Sequence, residues 1–147
     1  MELSSAVTRA LEDAGFAVAW LFGSRARGDD RPDSDADVAL LLCPDADPPD
    51  LYTQAGLAEA FREPLGAGAV DIVLLDRAPL DLRARVVQEG RVLWSRDEPL
   101  RVAFTVQTQS YWEDVRPALE EMNRAYFRRL AASGFGGSGS KGSGKNG

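Results

Sequence analysis

The chain has 147 residues and no histidine. That removes the commonest general base and zinc ligand, and with them Ser-His and Cys-His nucleophilic catalysis. Cysteine occurs once, at Cys43, so no internal disulfide is available. Cys43 reads as a small apolar residue closing a strand, and a cytoplasmic setting is expected. No apolar run approaches the roughly 20 residues of a membrane span. The N-terminal MELSSAVTRALEDAGFAV is amphipathic and carries acids, so no secretory signal is expected. Positive charge is scarce: 17 Lys and Arg stand against 23 Asp and Glu, for a net charge of −6. A broad nucleic-acid surface would need a basic patch, so direct nucleic-acid binding is not expected.

What is present is ordinary for a globular domain: 44% apolar and 27% charged residues. Leu3, Val7, Ala10, Leu11 and Ala14 recur at helical spacing, with Ser4 or Ser5 as cap and Gly15 as stop. The apolar runs Phe16–Phe22, Val38–Cys43 and Val70–Leu75 read as buried strands, and Arg91–Trp94 as a short one. Leu51 to Phe61 reads as a helix capped by Asp50 and ended by Pro64 and Gly66-Ala67-Gly68. A further helix follows Pro79 and stops at Gly90. From Pro99 to Ala132 the pattern is helical, with Pro117 expected to break it, kink it or begin a second helix. Helices alternating with strands predict an α/β (α+β) domain: a small mixed sheet with helices packed on it and a C-terminal helix or helix pair. The domain is expected over 1–132, with a core at 3–94 and a helical part at 99–132. Residues 133–147 are dominated by glycine and serine, which predicts a flexible coil and fits a vector-derived linker.

The chemistry concentrates in GSRARGDDRPDSDAD, residues 23–37. Gly23 lets backbone approach a phosphate, and Ser24 offers a hydroxyl and an amide beside it. Five acids crowd this stretch. Asp29, Asp30 and Asp33 are explained by a solvated turn. Asp35 and Asp37 adjoin a buried-looking strand; opening it, they project from one face and can hold metal together. Asp71 lies within the apolar VDIVLL, where a carboxylate is costly unless paired, exposed at an edge or bound to metal. Three carboxylates converging on adjacent strands suit Mg²⁺, and two such ions can bind the attacking and leaving oxygens of a phosphoryl displacement. Arg25 and Arg27 fit neutralisation of phosphate charge, or equally an offset to the neighbouring acids. Trp20 reads as core, and Trp94 as core or edge packing. Tyr111, Trp112, Tyr126 and Phe127 fit packing back on the sheet, or alternatively a partner surface.

A Gly-Ser pair, a ten-residue spacer, Asp-x-Asp and a later strand aspartate resemble the DNA polymerase β-type nucleotidyltransferase superfamily. The short length, and RVVQEGRVLW after the third strand, resemble its minimal nucleotidyltransferases, the MNT proteins. The resemblance runs from Leu3 to Trp94. It implies that Gly23 and Ser24 hold the triphosphate of ATP, and that Asp35, Asp37 and Asp71 are catalytic and coordinate Mg²⁺. Asp71, matched by strand context alone, would also take the proton of the attacking hydroxyl, with pyrophosphate leaving.

With most of its length expected in the catalytic core, something else is expected to present the acceptor. MNT proteins act as antitoxins to HEPN-domain ribonuclease toxins, and several transfer AMP to a toxin tyrosine. The resemblance thus implies an adenylyltransferase antitoxin in a hetero-oligomer with a HEPN toxin. Two alternatives are a steric antitoxin without transferase activity and a small-molecule nucleotidyltransferase working with a helical partner. The intact Gly23-Ser24 and Asp35-Asp37 pairs argue against the purely steric one.

Overall fold

The computed structural model describes residues 2–28 and 34–133. The expectations for Asp29, Asp30 and Asp33, and for the glycine-serine tail beyond Ser133, lie outside the described residues. The elements run α1 (Ser5–Asp13), β1 (Phe16–Phe22), a 3₁₀ turn (Gly23–Arg25), β2 (Ala36–Leu42), α2 (Leu51–Leu65), β3 (Val70–Leu74), a 3₁₀ turn (Leu75–Arg77), α3 (Leu80–Glu89), β4 (Arg91–Ser95) and α4 (Glu98–Ala132). This is the mixed α/β architecture with a long C-terminal helix.

The strands form one sheet in the order β3-β2-β1-β4. The inner pair β1 and β2 is antiparallel, β4 joins β1 antiparallel, and β3 joins β2 in parallel. A parallel neighbour needs a crossover, and α2 supplies it. All seven residues of β1 are buried, as a central strand covered on both faces requires.

Strand alternation sends side chains to two separate cores. Ala36, Val38, Leu40 and Leu42 of β2 and Val70 of β3 meet Val7 and Leu11 of α1 and Leu57, Phe61 and Leu65 of α2. Ala39 and Leu41 of β2 join Val18, Trp20 and Phe22 of β1, Val86 of α3 and the half-buried Leu100 and Phe104 of α4 on the other face. Trp20 and Phe104 pack with tilted rings whose centroids lie 5.9 Å apart. Fully buried side chains such as Phe16, Phe61 and Leu11 each contribute about 1.5–3 kcal/mol through apolar burial.

Helix starts follow their caps. The Ser4 hydroxyl accepts from the Val7 amide at 3.3 Å, and the Asp50 carboxylate accepts from the Thr53 amide at 2.8 Å. Helix ends depart from expectation twice. Helix α2 continues through Pro64 to Leu65, because Leu65 fills the first core and only the last turn contains the proline. Helix α4 runs through Pro117 without a break, so Pro117 neither ends it nor begins a second helix. The site is exposed, so water can satisfy the carbonyl that the missing amide leaves open.

The chain divides into two units, 1–110 and 111–147. The described part of the second is the distal stretch of α4. Its flanks carry ion pairs, among them Arg124–Glu121 at 2.7 Å and Arg116–Glu120 at 3.8 Å. Tyr111, Val115, Leu119, Met122 and Tyr126 recur along it at helical spacing, all exposed, and Phe127 is exposed beside Tyr126. Trp20 is core as expected, and Trp94 packs half-buried against the first core.

Candidate active site

The site is built at one end of the inner strands. Asp71 of β3 lies opposite Asp37 of β2, and Asp37 lies opposite Phe22, the last residue of β1. Gly23 comes next in the chain. The alternation that puts Ala39 and Leu41 on the second face puts Asp37 on the same face, and Val73 assigns Asp71 to it too. Asp35 precedes β2 by one residue and is exposed. Asp71 is exposed on the edge strand, so its placement in an apolar run carries no burial cost.

Electrostatics link the three acids. Burial pushes the Asp37 carboxyl above its ordinary value, and the negative charges of Asp71 and then Asp35 push it further. A bound cation would reverse that repulsion. Among the described residues, no set of three acidic or cysteine side chains forms a ready-made metal cage. The arrangement nevertheless fits Mg²⁺, which takes one or two carboxylates plus substrate phosphates rather than a full set of protein ligands.

Gly23 is required here on two counts. Its φ of +81° is disfavoured for any residue with a side chain, and a Cβ would stand 2.7 Å from Oδ2 of Asp37. The backbone of the turn thus abuts the central carboxylate. The turn itself is fixed by bonds from the Ala26 amide to the Gly23 carbonyl at 3.1 Å and from the Arg27 amide to the Ser24 carbonyl at 3.1 Å. Ser24 is half-buried on this turn, next to Gly23.

The two arginines part company. Arg27 is exposed and pairs with Glu89 at the end of α3, at 3.4 Å. Such a surface pair contributes about 0–1 kcal/mol and leaves the side chain easily redirected. Arg25 is only 8% exposed. Its guanidinium donates to the carbonyls of Leu65, Gly66 and Ser34 and to the Ser34 hydroxyl. Those donors serve the protein's own backbone and the Ser34 hydroxyl, a role that neither phosphate neutralisation nor an offset to the neighbouring acids describes. No sequence signal announces this role, because the carbonyls that receive the fork come from segments distant in the chain.

A parallel and antiparallel sheet with paired acids beside a Gly-Ser turn is the arrangement of a nucleotidyltransferase. The family described as polymerase beta, nucleotidyltransferase matches residues 8–99, and the chain belongs to it. Solved structures agree. A chain from a toxin–antitoxin complex with AMP-PNP is 27% identical, with a TM-score of 0.64 over 82% of this chain and 95% of that one. A chain from the MntA–HepT toxin–antitoxin complex is 25% identical, with a TM-score of 0.61 over 83% and 94%. A chain from a complex of tri-AMPylated Shewanella oneidensis HEPN toxin with MNT antitoxin is 25% identical, with a TM-score of 0.61 over 83% and 93%. No curated protein matches the chain in sequence. Among the described residues no helix is long and apolar enough to cross a membrane.

Proposed function

We propose that this chain is a Mg²⁺-dependent adenylyltransferase antitoxin that moves AMP from ATP onto a tyrosine of a HEPN ribonuclease toxin. The observation that carries the reading is the row Asp71–Asp37–Gly23 across three neighbouring strand ends. Support comes also from similar chains found with AMP-PNP and with an AMPylated HEPN toxin.

In this reading the Gly23-Ser24 turn receives the triphosphate through backbone and hydroxyl, and exposed Arg27 swings from Glu89 to neutralise part of its charge. Asp35, Asp37 and Asp71 hold the metal, as two ions in the full form of the proposal. When bound, Mg²⁺ supplies charge neutralisation of the phosphates and polarises the phosphoryl group under attack. The acceptor hydroxyl oxygen forms the new bond to the α-phosphorus while the bond to the bridging α–β oxygen breaks. Pyrophosphate leaves with that electron pair. Asp71, exposed at the sheet edge, takes the hydroxyl proton. The exposed apolar stripe of Tyr111, Val115, Leu119, Met122 and Tyr126 supports partner binding, since contiguous exposed apolar surface marks interaction sites.

That stripe also favours the steric reading, in which docking alone silences the toxin. Incubation with ATP labelled in its α-phosphate, Mg²⁺ and the HEPN protein encoded beside this chain separates the two. Label on the partner, lost with Asp35→Ala, is expected. Inhibition of the toxin without label, unchanged by Asp35→Ala, would replace the enzyme with the steric antitoxin. Label on a small molecule instead would assign a different acceptor.

A further inference from the structure

We propose that Arg25 is a positioning residue of the nucleotidyl-transfer site: its guanidinium locks together three segments that carry or lead into Gly23, Ser24, Asp35, Asp37 and Asp71. The inference deepens the transferase reading and rests on it. The first segment is the Gly23–Arg25 turn, to which Arg25 itself belongs. The second is the entry to β2, where Nε donates to the Ser34 hydroxyl at 3.1 Å and Nη2 to the Ser34 carbonyl at 3.0 Å, one residue before Asp35. The third is the connection from α2 to β3, where Nη1 and Nη2 donate to the carbonyls of Leu65 and Gly66. That connection leads directly into the strand bearing Asp71. The same Ser34 carbonyl accepts from the Gly68 amide at 3.2 Å, and the Ala36 amide donates to the Ala69 carbonyl at 2.9 Å, so the second and third segments are stitched beside the guanidinium.

The chemistry explains why arginine stands here. The end of a helix presents unsatisfied carbonyls and partial negative charge, which a cation complements. Guanidinium offers five N–H donors in a rigid plane, enough to serve several carbonyls at once. An ammonium offers a single compact centre and cannot span them. The guanidinium thereby ties Arg25 to Ser34, which removes freedom from both described segments before any ligand arrives. Preorganisation of this kind acts on turnover, because small displacements of reacting groups are costly. A phosphate ligand would instead act mainly on nucleotide binding.

Arg25→Lys and Arg25→Gln test this beside wild type, with two readouts. The first is steady-state AMP transfer to the HEPN partner. The expected result is a fall in kcat of at least about tenfold for both variants, with KM for ATP within about threefold of wild type. The second is hydrogen exchange without nucleotide, where segments 23–28 and 34–37 are expected to exchange about tenfold faster in both variants. If Arg25→Lys keeps kcat and raises only KM, Arg25 is a phosphate ligand and the proposal falls. Unchanged exchange in those segments overturns it equally. If wild type transfers no AMP, the transferase reading fails, and exchange alone then decides whether Arg25 holds the three segments. Should neither variant fold, Ser34→Ala removes one acceptor only; a smaller change in the same two readouts supports the proposal, and no change refutes it.

Discussion

Replacing Gly23 by alanine separates what this glycine does for the fold from what it does for the site. A side chain at φ +81° costs about 1–2 kcal/mol. For a chain of this size that lowers Tm by about 3–8 °C. The new Cβ would also lie 2.7 Å from Asp37 Oδ2, whereas ordinary contact begins near 3.4 Å, so the carboxylate must retreat by about 0.7 Å. Being the end of a side chain, it can rotate away at small further cost to stability. The site does not recover so easily, because a misplacement near 1 Å costs on the order of 100-fold in rate. Transfer is therefore expected to fall about 30–100-fold in a protein that stays folded, since typical stability exceeds the loss. Gly28 provides the control: its φ is +84° and a Cβ there meets nothing within 4 Å. Gly28→Ala should lose similar Tm and retain transfer within about threefold. Thermal denaturation and initial-rate assays on both variants suffice. Equal loss of activity in the two, or wild-type activity in Gly23→Ala, would refute the close approach of turn and carboxylate.

Other predictions concern charge and helix continuity. Because Asp37 titrates above its ordinary value of 3.8, its ionisation disfavours the folded state as pH rises through the folded pKa. Metal-free Asp37→Asn should thus melt higher than wild type at pH 7, with the gain vanishing as pH falls below 3.8; calorimetry across pH checks this, and a lower Tm at pH 7 contradicts it. Millimolar Mg²⁺ with an ATP analogue should raise the Tm of wild type but not of Asp35→Asn or Asp37→Asn, by about 2.7 kcal/mol of stability at 100-fold excess over Kd. Pro117→Ala restores a backbone donor inside α4 and should slow amide exchange around that turn by up to about 3 kcal/mol in local opening energy. Faster exchange there would mean the proline is not the weak point of the helix.

Sequence alone carried the strands well, because each is a short apolar run bounded by glycine, proline or acid. Phe16–Phe22 coincides with β1 residue for residue. Prolines misled, since their cost is local while the packing of Leu65 and the water available around Pro117 are tertiary facts. Asp37 and Asp71 were legible as a pair because strand period and neighbouring strands bring them into register. Two features were not. The contact between Gly23 and the Asp37 carboxylate depends on sheet register. The service of Arg25 to the Leu65 and Gly66 carbonyls depends on where α2 ends, four residues beyond the Leu51–Phe61 stretch that its apolar spacing marks.

The most direct measurement is the intact mass of the HEPN partner co-expressed with this chain, set against co-expression with Asp37→Asn. Addition of one or more AMP units to the partner beside wild type, and none beside the variant, is the predicted result. A partner that is silenced yet unmodified by wild type, or modified equally by both, would contradict a transfer centred on Asp37.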